Sequence, residues 1–285
     1  MLSTAVSAFK RISRGFNFAA ATVTGTFFCP CCEKRVPRWQ DWSPLYQNVI
    51  CPKCGCHPRH RLMALYLDQV APTLRESSVL HFAAERAIRN RIVEVAKEYI
   101  TADLRPEGRA WELDRRSFRD NESEVQADIT DLQFPEERFD VVVCSHVLEH
   151  VHDDARALRE LYRVMKPESW ALLQTPLDKG RTLSLERAEV DSPALRQKYY
   201  QQEDHVRLYG REIYTRFIAA GFLPAIIPPE SVCSDPAFFG LWPDEDLMIA
   251  RKTWTRTPSF FDEEDRSIRA ERSDAKISGG AERAA

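Results

Sequence analysis

The sequence predicts an α/β protein, a mostly parallel sheet with helices on both faces, preceded by a small cysteine-rich module. Three observations predict it. From Ser77 onward, short apolar stretches alternate with amphipathic ones, the pattern of strands joined by helical crossovers. The residues that end the apolar stretches are repeatedly polar and acidic. Six of the eight cysteines fall within Cys29–Cys56.

With 285 residues, of which 44% are hydrophobic and 29% charged, the chain is long enough for one full α/β domain and a small appendage. A net charge of −3 gives no general attraction for a polyanion, so nucleic acid is not the expected partner. No apolar run reaches the length that spans a bilayer. Clustered thiols in C-x-x-C pairs point to a reducing compartment, and the cytoplasm is the expected location.

Residues 1–26 lack acidic side chains, and Leu2, Val6, Phe9 and Phe16 fall roughly on one helical face. The segment reads as a frayed end with a short helix. Its alternatives are a targeting segment or a helix making peripheral membrane contact. Residues 27–60 form the module. Cys29 and Cys32 make one C-x-x-C, Cys51 and Cys54 the other, and 18 residues separate the pairs. Two such knuckles with a hairpin between them present four thiolates to a structural zinc ion in a zinc-ribbon-like arrangement. Cys31, Cys56, His57 and His60 are spare, and any one of them could replace an assigned ligand.

Residues 61–252 form the main domain. PRHRLMALYLDQVA leads into it as a helix, with Leu62, Leu65, Tyr66 and Val70 at helical spacing. SSVLHFA is the first strand, AERAIRNRIVEVAKE a helix, YITADL the second strand and SEVQADIT the third. FDVVVCSH is the buried fourth strand, DDARALRELYRVMKP an amphipathic helix closed by Pro167, and WALLQTP the fifth strand. After an irregular stretch, GREIYTRFIAAGF is a helix ended by Gly221, and FLPAIIP and DLMIARK close the sheet as an antiparallel pair. From Thr253 the periodicity fades into a charged, mobile tail, residues 253–285.

In parallel sheets ligands sit at the carboxyl ends of the strands. Glu85 follows the first strand, Asp103 ends the second, Asp128 ends the third, and Ser145 and His146 end the fourth. A carboxylate at the second strand end can accept both hydroxyls of a ribose, and a carboxylate or amide after the third can meet an adenine amino group.

YITADL, ADITDLQFPEERFDVVVCSHVLEHVHDDARALRELYRVMKP and DHVRLYGREIYTRFIAAGF resemble the class I S-adenosylmethionine-dependent methyltransferases. The cysteine pairs, CPKCGCHPRHR, LHFAAE and QEDHVRLYG are similar to a bacterial-type subgroup with a zinc-binding front end. The resemblance implies a Rossmann-like fold with a seven-stranded sheet and S-adenosylmethionine as cofactor. It implies that Asp103, with Leu104 beside it, holds the ribose, that Asp128 and Ile129 border the adenine, and that Ser145 and His146 line the floor beside the methyl group.

One departure stands out. Where that family carries a glycine-rich loop this chain has HFAAER, and alanine does not take a positive φ cheaply. Either Ala83 and its neighbours follow another path, with His81 and Glu85 holding the amino-acid end, or affinity for the cofactor falls. Methyl transfer from a sulfonium needs alignment, and a base only for some acceptors. His146 and His205 are the catalytic candidates. The expected acceptor is a small molecule, a sugar or a lipid-linked intermediate, methylated at O or N, with Leu177–Gln202 setting specificity. The alternatives are a cofactor-binding but inactive scaffold and an RNA methyltransferase that grips RNA with the zinc module. Oligomeric state is not legible.

Overall fold

The structure is a computed structural model that describes residues 26–42, 46–105 and 120–253. The amino-terminal face of Leu2, Val6, Phe9 and Phe16, and the tail beyond Thr253, lie outside the described residues. The chain divides into two compact units, one of residues 1–69 with 228–246, the other of residues 70–227 with 247–285.

The first unit begins with a short hairpin, β1 (Phe27–Cys29) and β2 (Lys34–Val36), which wraps the first C-x-x-C itself. Between the two cysteine pairs, where the sequence predicts a hairpin, the described residues include the antiparallel bridge of Gln40 to Ile50. Helix α1 (Pro58–Leu74) leaves this unit toward the other. Arg61, on its first turn, is fully buried. It donates to the carbonyls of Val49 and Cys56, at 3.0 Å each, and to those of Phe239 (2.8 Å) and Gly240 (2.7 Å). One guanidinium thus ties the amino-terminal loops to a segment almost 180 residues later in the chain. A backbone bond from Phe28 to Phe238 (3.0 Å) adds to that tie. Gly240 has φ +62, and a Cβ there would collide with the indole of Trp39, so the close approach requires glycine.

The second unit is a seven-stranded sheet. In chain order its strands are β3 (Ser78–Phe82), β4 (Glu98–Asp103), β5 (Glu122–Gln126), β6 (Phe139–Ser145), β7 (Met165–Gln174), β8 (Leu223–Ile227) and β9 (Leu247–Lys252). Across the sheet the order is β5-β4-β3-β6-β7-β9-β8. The pairs from β5 to β7 are parallel, and β9 runs antiparallel to both β7 and β8. β3 and β6 are all but wholly buried, as their largely apolar sequences require in a sheet covered on both faces.

Helix α2 (Arg86–Val93) follows β3. Helix α3 (Asp154–Val164) is capped by Asp153, whose carboxylate accepts from the Arg156 N–H at 2.9 Å. Its buried face, Ala157, Leu158, Leu161 and Tyr162, repeats at helical spacing and joins the core formed by Leu80, Val142, Phe217 and Phe222. Each such side chain contributes about 1.5–3 kcal/mol of burial. Helices α4 (Pro193–Tyr200), α5 (Ile213–Ala219) and α6 (Pro229–Val232) complete the described set.

Several boundaries differ from the sequence expectation: the helix after β3 ends at Val93 and the one before Gly221 starts at Ile213, and two further differences have a plain local cause. Helix α3 stops at Val164 and strand β7 already begins at Met165, so Pro167 lies in the strand. Proline forces the residue before it out of the helical region, which ends the helix before proline is reached. Strand β5 stops at Gln126, because Asp128 folds its side chain onto Thr130 and turns the chain.

Candidate functional site

The described cysteines of the first unit converge. Sulfur atoms of Cys29, Cys51, Cys54 and Cys56 all lie within 4.8 Å of one another. Cys29 Sγ is 3.3 Å from Cys56 Sγ and 3.7 Å from Cys54 Sγ, and Cys32 Sγ lies 3.9 Å from Cys51 Sγ. Four sulfurs about 2.3 Å from a central zinc ion would stand about 3.8 Å apart, so this donor set fits a tetrahedral thiophilic ion. Of the sequence-based quartet, Cys29, Cys51 and Cys54 are in the tightest group. Cys56 stands there with them, and Cys32 sits at its edge. Crowding works against ionised thiols in the absence of a cation. Burial pushes Cys32 up to about 11, and the hydrogen bond with Cys29 pushes Cys54 up to about 11.

In the second unit the chain runs from β3 outward through β4 and β5, then crosses to β6 on the other side of β3. This reversal opens a crevice at the carboxyl ends of β3 and β6. Ala83, immediately after β3, has φ 48, and its N–H donates to the Ala102 carbonyl at 2.9 Å. The tight turn that glycine would make is therefore made here by alanine, at a backbone cost of about 1–2 kcal/mol. Glu85 follows, with an oxygen 3.4 Å from Ser145 Oγ at the end of β6. Asp103 ends β4, and one carboxylate oxygen accepts from the Arg105 N–H at 2.9 Å. Leu104 beside it is 54% exposed, an apolar face left open at this edge. Asp128 is exposed and accepts from both the N–H and the hydroxyl of Thr130 at 2.8 Å, while Ile129 is buried. His81 is fully buried, with Nδ1 2.7 Å from the Tyr99 hydroxyl, so its ring is engaged inside the sheet layer.

His146 also takes a left-handed conformation (φ 54), which turns the chain sharply after β6 into a 3-10 turn, Leu148–His150. Its Nδ1 lies 3.2 Å from Oε1 of Glu149. Glu149 is buried, and its other oxygen accepts from the Thr175 hydroxyl at 2.9 Å. Burial alone would raise its pKa, but the hydrogen bond and charge of His146 outweigh that and hold the carboxyl below the usual carboxylate range. His205 is brought to the same place from a distant segment, its ring 4.8 Å from that of His150. Burial lowers its pKa and favours the neutral ring.

Arg207 fastens this segment. It donates to the carbonyls of Leu148 (3.1 Å), Val151 and His152 (2.8 Å), and pairs with Glu186. Arg207 makes the anchoring contacts of this segment, and His205 faces the cluster. Thr175 was not anticipated, although its position just after the fifth strand, in QTP, marks the same strand-end pattern.

Residues 83–173 match the family described as "Methyltransferase domain". Over 117 residues the chain is 32% identical to the ubiquinone/menaquinone biosynthesis C-methyltransferase UbiE of Proteus mirabilis, covering 38% of this chain and 46% of that protein. It is 26% identical over 203 residues to the demethylmenaquinone methyltransferase of Clavibacter sepedonicus, covering 70% of this chain and 72% of that one. Among solved structures it is similar to the YcgJ protein of Bacillus subtilis, at 18% identity and a TM-score of 0.49, covering 69% of this chain and 100% of that one. The chain spans just under half the length of the Proteus mirabilis protein. Most of the strand ends and turns described above fall inside the matched stretch.

Proposed function

We propose that the sheet unit transfers a methyl group from S-adenosylmethionine to a small-molecule acceptor, and that the cysteine unit holds a structural zinc ion. The observation that carries the first reading is the strand-end set around the β3–β6 crevice: Ala83 in the left-handed turn, Glu85 beside Ser145, Asp103 with Leu104, and Asp128 with Ile129. The bound cofactor would supply a methyl group already activated by the sulfonium charge. Asp103 would accept the ribose hydroxyls, and the exposed side chain of Leu104 and that of Ile129 would flank the adenine ring near Asp128. Glu85 would pair with the ammonium group of the methionine part, and Ser145 and His146 would line the floor.

Methylation at oxygen or carbon releases a proton from the acceptor as the new bond to the methyl forms. His146 is the group best set to take it, because Glu149 at Nδ1 leaves Nε2 as the basic nitrogen. Sugars, lipid-linked intermediates and other small molecules remain within this reading. The likeness to quinone-pathway C-methyltransferases makes a ring carbon of a quinol-type acceptor the first to test. The functional domain is proposed as residues 61–252, interrupted by 228–246, which serve the cysteine unit.

Calorimetric titration with S-adenosylmethionine and S-adenosylhomocysteine tests the reading. Micromolar binding that Asp103→Ala weakens at least about tenfold, about 1.4 kcal/mol, is the expected result. Folded, zinc-loaded protein that binds neither compound would overturn it.

A further inference from the structure

The turn after β6 contains a second set of metal-ligating side chains, distinct from the cysteines. One ligand atom from each of Glu149, His150 and His205 lies within 4.8 Å of the other two. Glu149 and His205 are buried and His150 is half-buried, so these groups have been brought together at the cost of desolvation.

Each ring is oriented through its Nδ1. His205 Nδ1 lies 2.9 Å from the Tyr200 carbonyl, which can only accept, so Nδ1 carries the hydrogen and Nε2 the lone pair. His150 Nδ1 lies 3.3 Å from a carboxylate oxygen of Asp204, which imposes the same tautomer. Metal-bound histidines commonly show this arrangement, an oxygen acceptor fixing the ring from behind while the second nitrogen faces the ion. The supports are rigid. Arg207 clamps the carbonyls of Leu148, Val151 and His152, and the Val206 N–H donates to the Glu149 carbonyl at 2.9 Å, so both halves of the cluster are held in one register.

We propose that Glu149, His150 and His205 bind a divalent first-row transition metal ion next to the methyl-transfer crevice. Two imidazoles and one carboxylate suit such an ion and leave coordination positions open. An acceptor bearing oxygen atoms would fill those positions. The ion would polarise the acceptor oxygen and fix the acceptor beside His146, which shares Glu149 with the metal site. The site's role in orienting an acceptor rests on the methyl-transfer reading; its ability to bind metal does not.

The full chain, its cysteine cluster loaded with zinc, is titrated with cobalt(II) and followed by elemental analysis and visible absorption. One cobalt per chain beyond the zinc is expected, with ligand-field bands and without sulfur-to-cobalt charge transfer. His205→Gln and His150→Gln should each weaken that binding at least about tenfold, while binding of S-adenosylhomocysteine persists. If His205→Gln fails to fold, the half-buried His150→Gln decides alone. No cobalt beyond the zinc, a thiolate charge-transfer spectrum, or undiminished binding in folded histidine variants would each overturn the site. Wild-type protein that binds cobalt but not S-adenosylhomocysteine would keep the metal site and remove the methyl-donor reading.

Discussion

The sheet unit buries Leu80, Val142, Leu158, Phe217 and Phe222 between its strands and helices. The cysteine unit instead pairs two strands of three residues each and gathers its loops around sulfur atoms and one buried guanidinium. A large apolar core tolerates the loss of any one member, at a cost of a few kcal/mol each. A unit with few regular backbone bonds depends on a small number of polar hubs, and each hub counts for much more. Perturbations should therefore separate the two.

Removal of the proposed zinc ion should give the largest effect. Chelation, or Cys51→Ser, should abolish amide-exchange protection across residues 27–60 and 228–246 while β3 and β6 stay protected; uniform protection after chelation would show that the thiols need no ion. Within the same quartet, Cys56→Ser should reduce zinc content more than Cys32→Ser, and the reverse order would return Cys32 to the ligand set. Arg61→Met comes next. It removes the guanidinium bonds to the carbonyls of Val49, Cys56, Phe239 and Gly240, and should lower the local opening free energy of the cysteine unit by about 3 kcal/mol. An equal loss across the sheet amides would mean the two units open together.

Glu149 sharpens the comparison on the sheet side. Because its folded-state pKa is depressed, its contribution is present above the ordinary carboxylate value of about 4.3 and is lost as pH falls through the folded value. Glu149→Gln should flatten the stability–pH curve of the sheet unit in that acid window, and an unchanged slope would contradict the depressed pKa. The smallest effect is Ala83→Gly, which relieves a left-handed alanine and should stabilise the sheet unit by up to about 1 kcal/mol. A destabilised glycine variant would contradict the strain, and the cysteine unit should not respond.

The strands and many of their ends were legible because burial on both faces writes apolar runs, as in FDVVVCS, and because ligand-facing ends interrupt them with polar residues, whereas the strand order across the sheet was not. Ala83 was legible only as a problem. Sequence argued against a positive φ there, and the surrounding backbone imposes one. The return of residues 228–246 to the cysteine unit could not be read, since Phe239 and Gly240 contribute carbonyls, which every residue has. The meeting of His205 with Glu149 and His150 was hidden for a related reason. It depends on Arg207 reaching backbone carbonyls more than fifty positions away in the chain, a pairing without periodicity.

The detour between β8 and β9 also has a consequence in time. A ribosome releases Arg61 and the cysteine pairs before it early, but the Phe239 and Gly240 carbonyls that Arg61 binds emerge almost 180 residues after it. At about 5–20 residues per second, the nascent front end waits roughly ten to forty seconds for its last piece. During that interval the thiols are in solution, and the proposed zinc ion would have to be captured by an open loop. The cysteine unit is thus begun before the sheet and completed only after β3 to β8 have been synthesised, just ahead of β9.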